Sequence, residues 1–204
     1  MLNSYKEFKN FIETLKDRPS LLLHACCGPC STHTIALLNN YFDITVYYDN
    51  SNIDTLEEFN KRLEELKKVI NNFDNVKLIV APYIPASFYE AVKGDEALGE
   101  FSSRCYKCMK LRMKNTYNYA LENNFDYYTT TLSISPYKSS KWINEIGYEL
   151  ASSGKVKYLY SDFKKEEGYK NSIKMSISLN LYRQHYCGCV FSKKELKEKE
   201  NGQS

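Results

Sequence analysis

The feature that most restricts the fold is an apolar run at residues 21–25 that ends abruptly in the segment Cys26-Cys27-Gly28-Pro29-Cys30. Such a run is typical of a buried strand. A tight Gly-Pro turn and a helix beginning near Ser31 are expected to follow it. The three thiols are then predicted to lie at the carboxyl end of the strand, which is the edge where open α/β sheets keep their active sites.

Strand-like and helix-like segments alternate along the rest of the chain. Apolar spacing predicts helices at residues 2–16, 31–39, 56–73, 86–93, 105–123, 139–152 and 169–184. Runs of β-branched and aromatic residues predict strands at residues 21–25, 43–48, 76–81, 126–132 and 156–160. This alternation predicts an α/β fold, a three-layer Rossmann-like domain with a mostly parallel five-stranded sheet. We expect a single domain over residues 1–192, followed by a charged C-terminal tail at 193–204.

Cysteine usage limits the possible chemistry. The chain of 204 residues contains seven cysteines in three groups, and an odd, clustered set does not suit a secreted disulfide scaffold. Metal or redox chemistry in a reducing compartment is favoured instead. The sequence shows no apolar run of about 18 residues and no signal-peptide pattern, so a cytoplasmic protein without a membrane span is expected. A net charge of +3 permits a nucleic-acid partner without requiring one.

The second and third cysteine groups are Cys105-Tyr106-Lys107-Cys108 and Cys187-Gly188-Cys189. A CxxC at a helix start places two thiolates about one turn apart, as in a metal site, although a structural zinc half-site or a thiol redox pair has the same spacing. Two cysteines separated by one glycine can close only a small, strained disulfide, or they can supply two metal thiolates. One structural zinc ion would use four ligands. The excess of thiols over one such site therefore favours a redox role, with a 4Fe-4S cluster as a candidate.

Five segments together resemble the cobalamin-independent epoxyqueuosine reductase family, the QueH type. They are His24-Ala25-Cys26-Cys27-Gly28-Pro29, Asn52-Ile53, Arg104-Cys105-x-x-Cys108, Thr130-Thr131-Leu132-x-Ile134-Ser135-Pro136 and Leu181-Tyr182-Arg183-Gln184-x-Tyr186-Cys187-Gly188-Cys189-Val190-Phe191-Ser192. The resemblance extends from Leu21 to Ser192. It implies an oxidoreductase of tRNA modification that reduces epoxyqueuosine to queuosine at the wobble position.

The resemblance also implies roles for individual residues. Cys26, Cys27, Cys105 and Cys108 match the positions that bind a 4Fe-4S cluster. Cys187 and Cys189 match a pair held to be redox-active. A second metal, expected to be iron, lies close to the cluster, and all seven cysteines are candidate metal ligands. Some family members have an aspartate at the position of Cys30, and a thiolate there changes the hardness of the ligand but not its role.

The implied reaction is a two-electron deoxygenation of an epoxide, in which two electrons and two protons convert the oxygen to water and leave an alkene. Its proton donor is expected among a metal-bound water, Asp49, Tyr186 and His185. The implied partners are an unidentified electron donor and tRNA that carries epoxyqueuosine, in tRNAs with GUN anticodons. Basic side chains near the cysteines are candidates for phosphate contacts: Arg104, Lys107, Lys110, Arg112, Lys114, Lys138, Lys141 and Arg183.

Three other functions fit part of the pattern. A thiol-disulfide oxidoreductase would use either cysteine pair without a metal, and a zinc-stabilised nucleic-acid-binding module would contain zinc but no iron. An ATP-dependent tRNA thiolation enzyme would need a glycine- and serine-rich pyrophosphate loop after the first strand. That place is occupied by Cys26-Cys27-Gly28-Pro29-Cys30, which counts against this third function.

Overall fold

A computed structural model describes residues 1–202 of the chain. Within these residues, five strands form one sheet, and every neighbouring pair is parallel. The strands are β1 (Ser20–His24), β2 (Asp43–Tyr48), β3 (Lys77–Val80), β4 (Tyr127–Thr130) and β5 (Lys157–Tyr158). Their order across the sheet is β3-β2-β1-β4-β5, so β1 is the central strand.

Eight α-helices accompany these strands in the described part of the chain. They are α1 (Tyr5–Glu13), α2 (Gly28–Leu38), α3 (Leu56–Ile70), α4 (Pro85–Val92), α5 (Ser103–Glu122), α6 (Ser140–Leu150), α7 (Gly168–Ser178) and α8 (Val190–Asn201). Helix α8 contains residues on both sides of the predicted boundary between the domain and the tail, which lies between residues 192 and 193. The division itself stays a prediction. None of the helices between residues 1 and 202 is long and apolar enough to span a lipid bilayer.

Helices cover both faces of the sheet because successive side chains of β1 point in opposite directions. Leu21 and Leu23 lie in one apolar core with residues of α1, α2 and α3. Leu22 lies in the second core with Met109 and Met113 of α5 and with residues of α6. The predicted three-layer α/β fold is therefore confirmed, and the sheet is parallel throughout.

The carboxyl ends of the three central strands meet at one edge of the sheet. After β1 the chain continues into Cys26, after β2 into Asn50, and after β4 into a short 3₁₀ helix over Thr131–Ile134. Hydrogen bonds join these segments: Asn50 Nδ2 donates to the Ala25 carbonyl oxygen at 2.9 Å, and Cys26 N donates to Thr131 Oγ1 at 3.3 Å. This edge holds the first cysteine group.

The start of α2 differs from the sequence prediction. The helix begins at Gly28 rather than near Ser31, and the Gly-Pro pair forms its first turn instead of a separate turn. Proline suits this position because its fixed φ matches the helix and its missing N–H has no partner in a first turn anyway. As a result Cys27 is the N-cap residue and Cys30 lies in the first turn.

The end of α7 also differs from the prediction. The helix stops at Ser178, six residues before the predicted end at 184, and Asn180 adopts a left-handed conformation with φ of 48°. The Leu181 amide donates to the Ser176 carbonyl oxygen at 2.9 Å, a bond typical of a helix that closes on a left-handed residue. Residues 179–184 are thereby free to run across the sheet edge toward the first cysteine group.

Replacing Gly28 by alanine is expected to destabilise the protein by about 1–3 kcal/mol, the range for overpacking a tight contact. A Cβ atom at this position would lie 2.5 Å from the carbonyl oxygen of Glu65, a backbone atom of α3 that cannot rotate away. Denaturant unfolding measures the effect. Gly99→Ala is the control, because no atom lies within 4 Å of a Cβ there. Equal stability of the two variants would contradict the close approach of α2 and α3.

Candidate metal centre

The first cysteine group consists of Cys26, Cys27 and Cys30. Their Sγ atoms all lie within 4.8 Å of one another, and those of Cys26 and Cys27 are 3.7 Å apart. The turn from β1 into α2 brings the thiols together, because one precedes the helix, one caps it and one lies in its first turn. Three sulfur atoms at this spacing can bind one soft metal ion.

The protonation of the adjacent thiols Cys26 and Cys27 is unequal. A hydrogen bond from the Cys27 thiol lowers the pKa of Cys26 well below its usual value. The same bond raises the pKa of Cys27 to about 12. The Gln184 side-chain amide also donates to Cys27 Sγ, at 2.9 Å. Cys26 is therefore the thiol of this pair that is more readily deprotonated, as metal binding requires.

The second group, Cys105 and Cys108, lies in the first two turns of α5. Both residues line a small cavity of about 20 Å³, and Cys187 and Cys189 of the third group line it too. Burial raises the pKa of Cys108 to about 11. Two cysteine groups that are about 80 residues apart in the sequence thus face one cavity.

The third group forms a tight turn that other elements hold in place. Gly188 has φ of 120°, a conformation that glycine adopts without strain. Its carbonyl oxygen accepts a hydrogen bond from the Asp54 amide at 2.9 Å. Burial opposes ionisation of Cys187, but Lys138, whose Nζ is 3.0 Å from the Cys187 Sγ, contributes to a lowered pKa for this thiol. Burial raises the pKa of Cys189 to about 12.

A second, larger cavity of about 310 Å³ is lined by cysteines of the first and third groups. Cys26, Cys30 and Cys187 line it, whereas Cys187 also lines the small cavity with Cys105, Cys108 and Cys189. Cys27 is buried beside Cys26. The structure therefore brings all three groups to two adjoining cavities that share Cys187, Arg112 and Lys138. None of the seven cysteines forms a disulfide in the described chain.

Arg62 and Glu65 of α3 bind the backbone of residues 182–187, and the sequence analysis did not single them out. Arg62 Nη1 donates to the Cys187 carbonyl oxygen at 3.1 Å, and its Nε bonds to Glu58 at 2.7 Å. Glu65 accepts from the Tyr182 amide at 2.8 Å. A signal was available for Arg62, because it lies three residues after Phe59 and four before Leu66, on the apolar face of the predicted helix.

The three side chains that are candidate proton donors, Asp49, Tyr186 and His185, differ in position. Asp49 is 4% exposed, lines neither cavity and accepts a hydrogen bond from Asn115 Nδ2 at 2.8 Å. Burial raises the pKa of this carboxyl group. Tyr186 lines the larger cavity, and its hydroxyl donates to Asp54 at 2.8 Å. His185 is exposed and lines the same cavity. Tyr186 and His185 therefore face the larger cavity, whereas Asp49 does not.

Arg104 and Arg112 do not suit the phosphate contacts for which the sequence made them candidates. Both side chains are buried, because this face of α5 packs toward the cysteines. Arg104 pairs with Glu195 at 2.7 Å.

Known proteins resemble this chain over most of its length. A family model described as "Epoxyqueuosine reductase QueH" matches residues 21–195. Curated proteins of that name include one from Staphylococcus aureus, 41% identical over 86% of this chain and 76% of its own length. Another, from Streptococcus pyogenes serotype M1, is 40% identical over 87% of this chain and 71% of its own. A third, from Thermotoga maritima, is 34% identical over 88% of this chain and 93% of its own. The chain therefore belongs to the QueH family of epoxyqueuosine reductases.

Proposed function

We propose that this protein reduces epoxyqueuosine to queuosine in tRNA, a reaction that would take place in the cytoplasm. Family membership supports the choice of substrate. The observation that carries the chemistry is that cysteines from three distant parts of the chain face two adjoining cavities at the carboxyl edge of the sheet. Such a set of thiols suits a redox metal centre better than a single closed zinc site.

The cofactor is proposed to be a 4Fe-4S cluster bound by Cys26, Cys27, Cys105 and Cys108, with a second metal, iron, close by. The donors fit a thiolate-bound metal, because the Cys26, Cys27 and Cys30 sulfur atoms lie within 4.8 Å of one another. Cys30 is the proposed additional ligand of the second metal. When bound, these groups supply electrons and a Lewis acid for removal of the epoxide oxygen.

The larger cavity is the proposed binding site for the modified base. Its volume of about 310 Å³ lies at the lower end of the range for small-ligand pockets. Tyr137, which is 67% exposed, lines this cavity and can stack on a base that has left the anticodon loop. Arg183 and Lys199 line it as well and can contact phosphate oxygens. GUN anticodons are proposed from the family resemblance alone.

Tyr186 is the proposed proton donor. It faces the larger cavity and Asp49 does not, and it is preferred to His185, which also lines that cavity, because a hydrogen bond fixes its hydroxyl group. Its hydroxyl bonds to Asp54, which also pairs with Lys193 Nζ at 2.7 Å. Burial raises the pKa of Tyr186, so its proton is held at neutral pH. Cys187 and Cys189 are the proposed redox pair, which an external electron donor would return to the dithiol form after each turnover.

The function is tested by purifying the protein without air and measuring its iron and acid-labile sulfide. The chemically reduced protein is then incubated with tRNA that carries epoxyqueuosine, and the nucleosides are analysed by mass spectrometry. Loss of one oxygen atom from epoxyqueuosine is the expected result. A colourless protein without iron that reduces disulfides and leaves the nucleoside unchanged would contradict the proposal and favour a thiol-disulfide oxidoreductase.

A further inference from the structure

Two basic side chains, Arg112 of α5 and Lys138, lie where the two cavities adjoin. Both line the larger cavity and the small one, as does Cys187. Arg112 is 3% exposed, and its Nη2 donates to Asn50 Oδ1. Its Nε is buried without a hydrogen-bond partner among residues 1–202. Lys138 Nζ donates to Cys187 Sγ at 3.0 Å.

These cations differ from the other two buried arginines near the site. Arg62 forms an ion pair with Glu58, and Arg104 forms one with Glu195. Neither Arg112 nor Lys138 forms an ion pair with a carboxylate in the described part of the chain. The ionisable groups near Arg112 are Cys108, Cys26, Cys187 and Asp49, and those near Lys138 are Cys187, Cys105 and Cys108.

A buried cation is costly unless a negative charge compensates for it. Asp49 is the one carboxylate among these neighbours, and Asn115 Nδ2 already donates to it. The remaining neighbours are thiols, which compensate for a cation only as thiolates. The pair of cations therefore matches an anionic, thiolate-bound group at the junction of the cavities.

We propose that Arg112 and Lys138 are positioning residues that stabilise the reduced, more negative state of the metal centre and so set its reduction potential. This inference rests on the metal centre of the proposed function. Each electron that enters a buried centre adds a negative charge, and two fixed cations close to it favour that charge more than water-exposed ones do. Loss of either cation is expected to make the centre harder to reduce.

The test is a spectroelectrochemical titration of the reconstituted full chain, with iron content and circular dichroism measured on each sample. At the potential where the wild-type centre is half reduced, the ratio of reduced to oxidised centre is expected to fall roughly tenfold in Arg112→Gln and in Lys138→Met. A tenfold change corresponds to about 59 mV for a one-electron couple. Arg112→Lys and Lys138→Arg keep the charge and should stay near the wild-type potential.

Arg18→Gln is the matched control, because Arg18 pairs with Asp43 at the start of β2, at the opposite edge of the sheet. An unchanged potential in both neutral variants would overturn the inference. Loss of iron from the neutral variants with retention in Arg112→Lys and Lys138→Arg would support it, whereas loss from all four folded variants would overturn it in favour of a packing role. If Arg112→Gln does not fold, Lys138→Met decides. The potential is measured without tRNA, so a wild-type protein that holds iron but leaves epoxyqueuosine unchanged would contradict only the proposed function.

Discussion

Cys108→Ala is expected to fold, to lose the visible absorption of the iron-sulfur cluster and to lose all conversion of epoxyqueuosine. Cys108 shares the small cavity with Cys105, its partner among the proposed cluster ligands. The other two thiols that line this cavity, Cys187 and Cys189, are the proposed redox pair and are not expected to replace it. Removing one small side chain leaves a void that costs only about 1 kcal/mol of stability, so the fold should survive. Iron and sulfide analysis together with absorption spectra measures the effect.

Cys108→Ser is the matched variant, because it keeps the size of the side chain and removes the soft sulfur ligand. Both variants should lose the cluster, and Cys26→Ala should behave in the same way. Far-ultraviolet circular dichroism checks that each protein is folded. A full cluster in folded Cys108→Ala would remove this residue from the proposed ligands.

Cys189→Ala is expected to lose turnover by more than about 100-fold while keeping most of its iron, since removing one member of a catalytic unit has effects of this size. Cys189 is the N-cap residue of α8, and its Sγ accepts a hydrogen bond from the Ser192 amide at 3.4 Å. It lies in the small cavity beside Cys187, its proposed redox partner. Without it, the proposed pair cannot alternate between dithiol and disulfide.

The measurement combines iron content with a multiple-turnover assay that uses a chemical reductant and tRNA carrying epoxyqueuosine. Ser178→Ala is a control at the exposed end of α7 and should match the wild type in both respects. Loss of iron from Cys189→Ala in parallel with activity would contradict the redox role and make this residue a ligand instead.

Most of the fold could be predicted from local patterns. The bounds of β2 agree with the prediction at both ends, because its β-branched and aromatic residues stop at a polar turn. Helix α3 begins at residue 56 as predicted, with Thr55 as its N-cap. The errors occurred where a local signal had two meanings. Gly28-Pro29 reads as a turn but begins a helix, and the polar and apolar pattern after Ser178 continues past the point where Asn180 ends the helix.

The sequence by itself determined that the chain forms an α/β domain, where the first strand ends, how the cysteines are grouped, and which family the chain resembles. These properties depend on residues that are close together along the chain, so patterns of a few residues are enough to predict them. Only the tertiary structure decided that Arg62 and Arg112 are buried, that Asp49 lies outside both cavities and Tyr186 inside one, and that Cys187 belongs to both cavities. The physical reason is that the surroundings of each side chain come from elements many residues away. Arg112 of α5 lies near Cys26, which follows β1, and near Cys187, which precedes α8. These residues are too far apart along the chain for a local sequence pattern to predict that they meet.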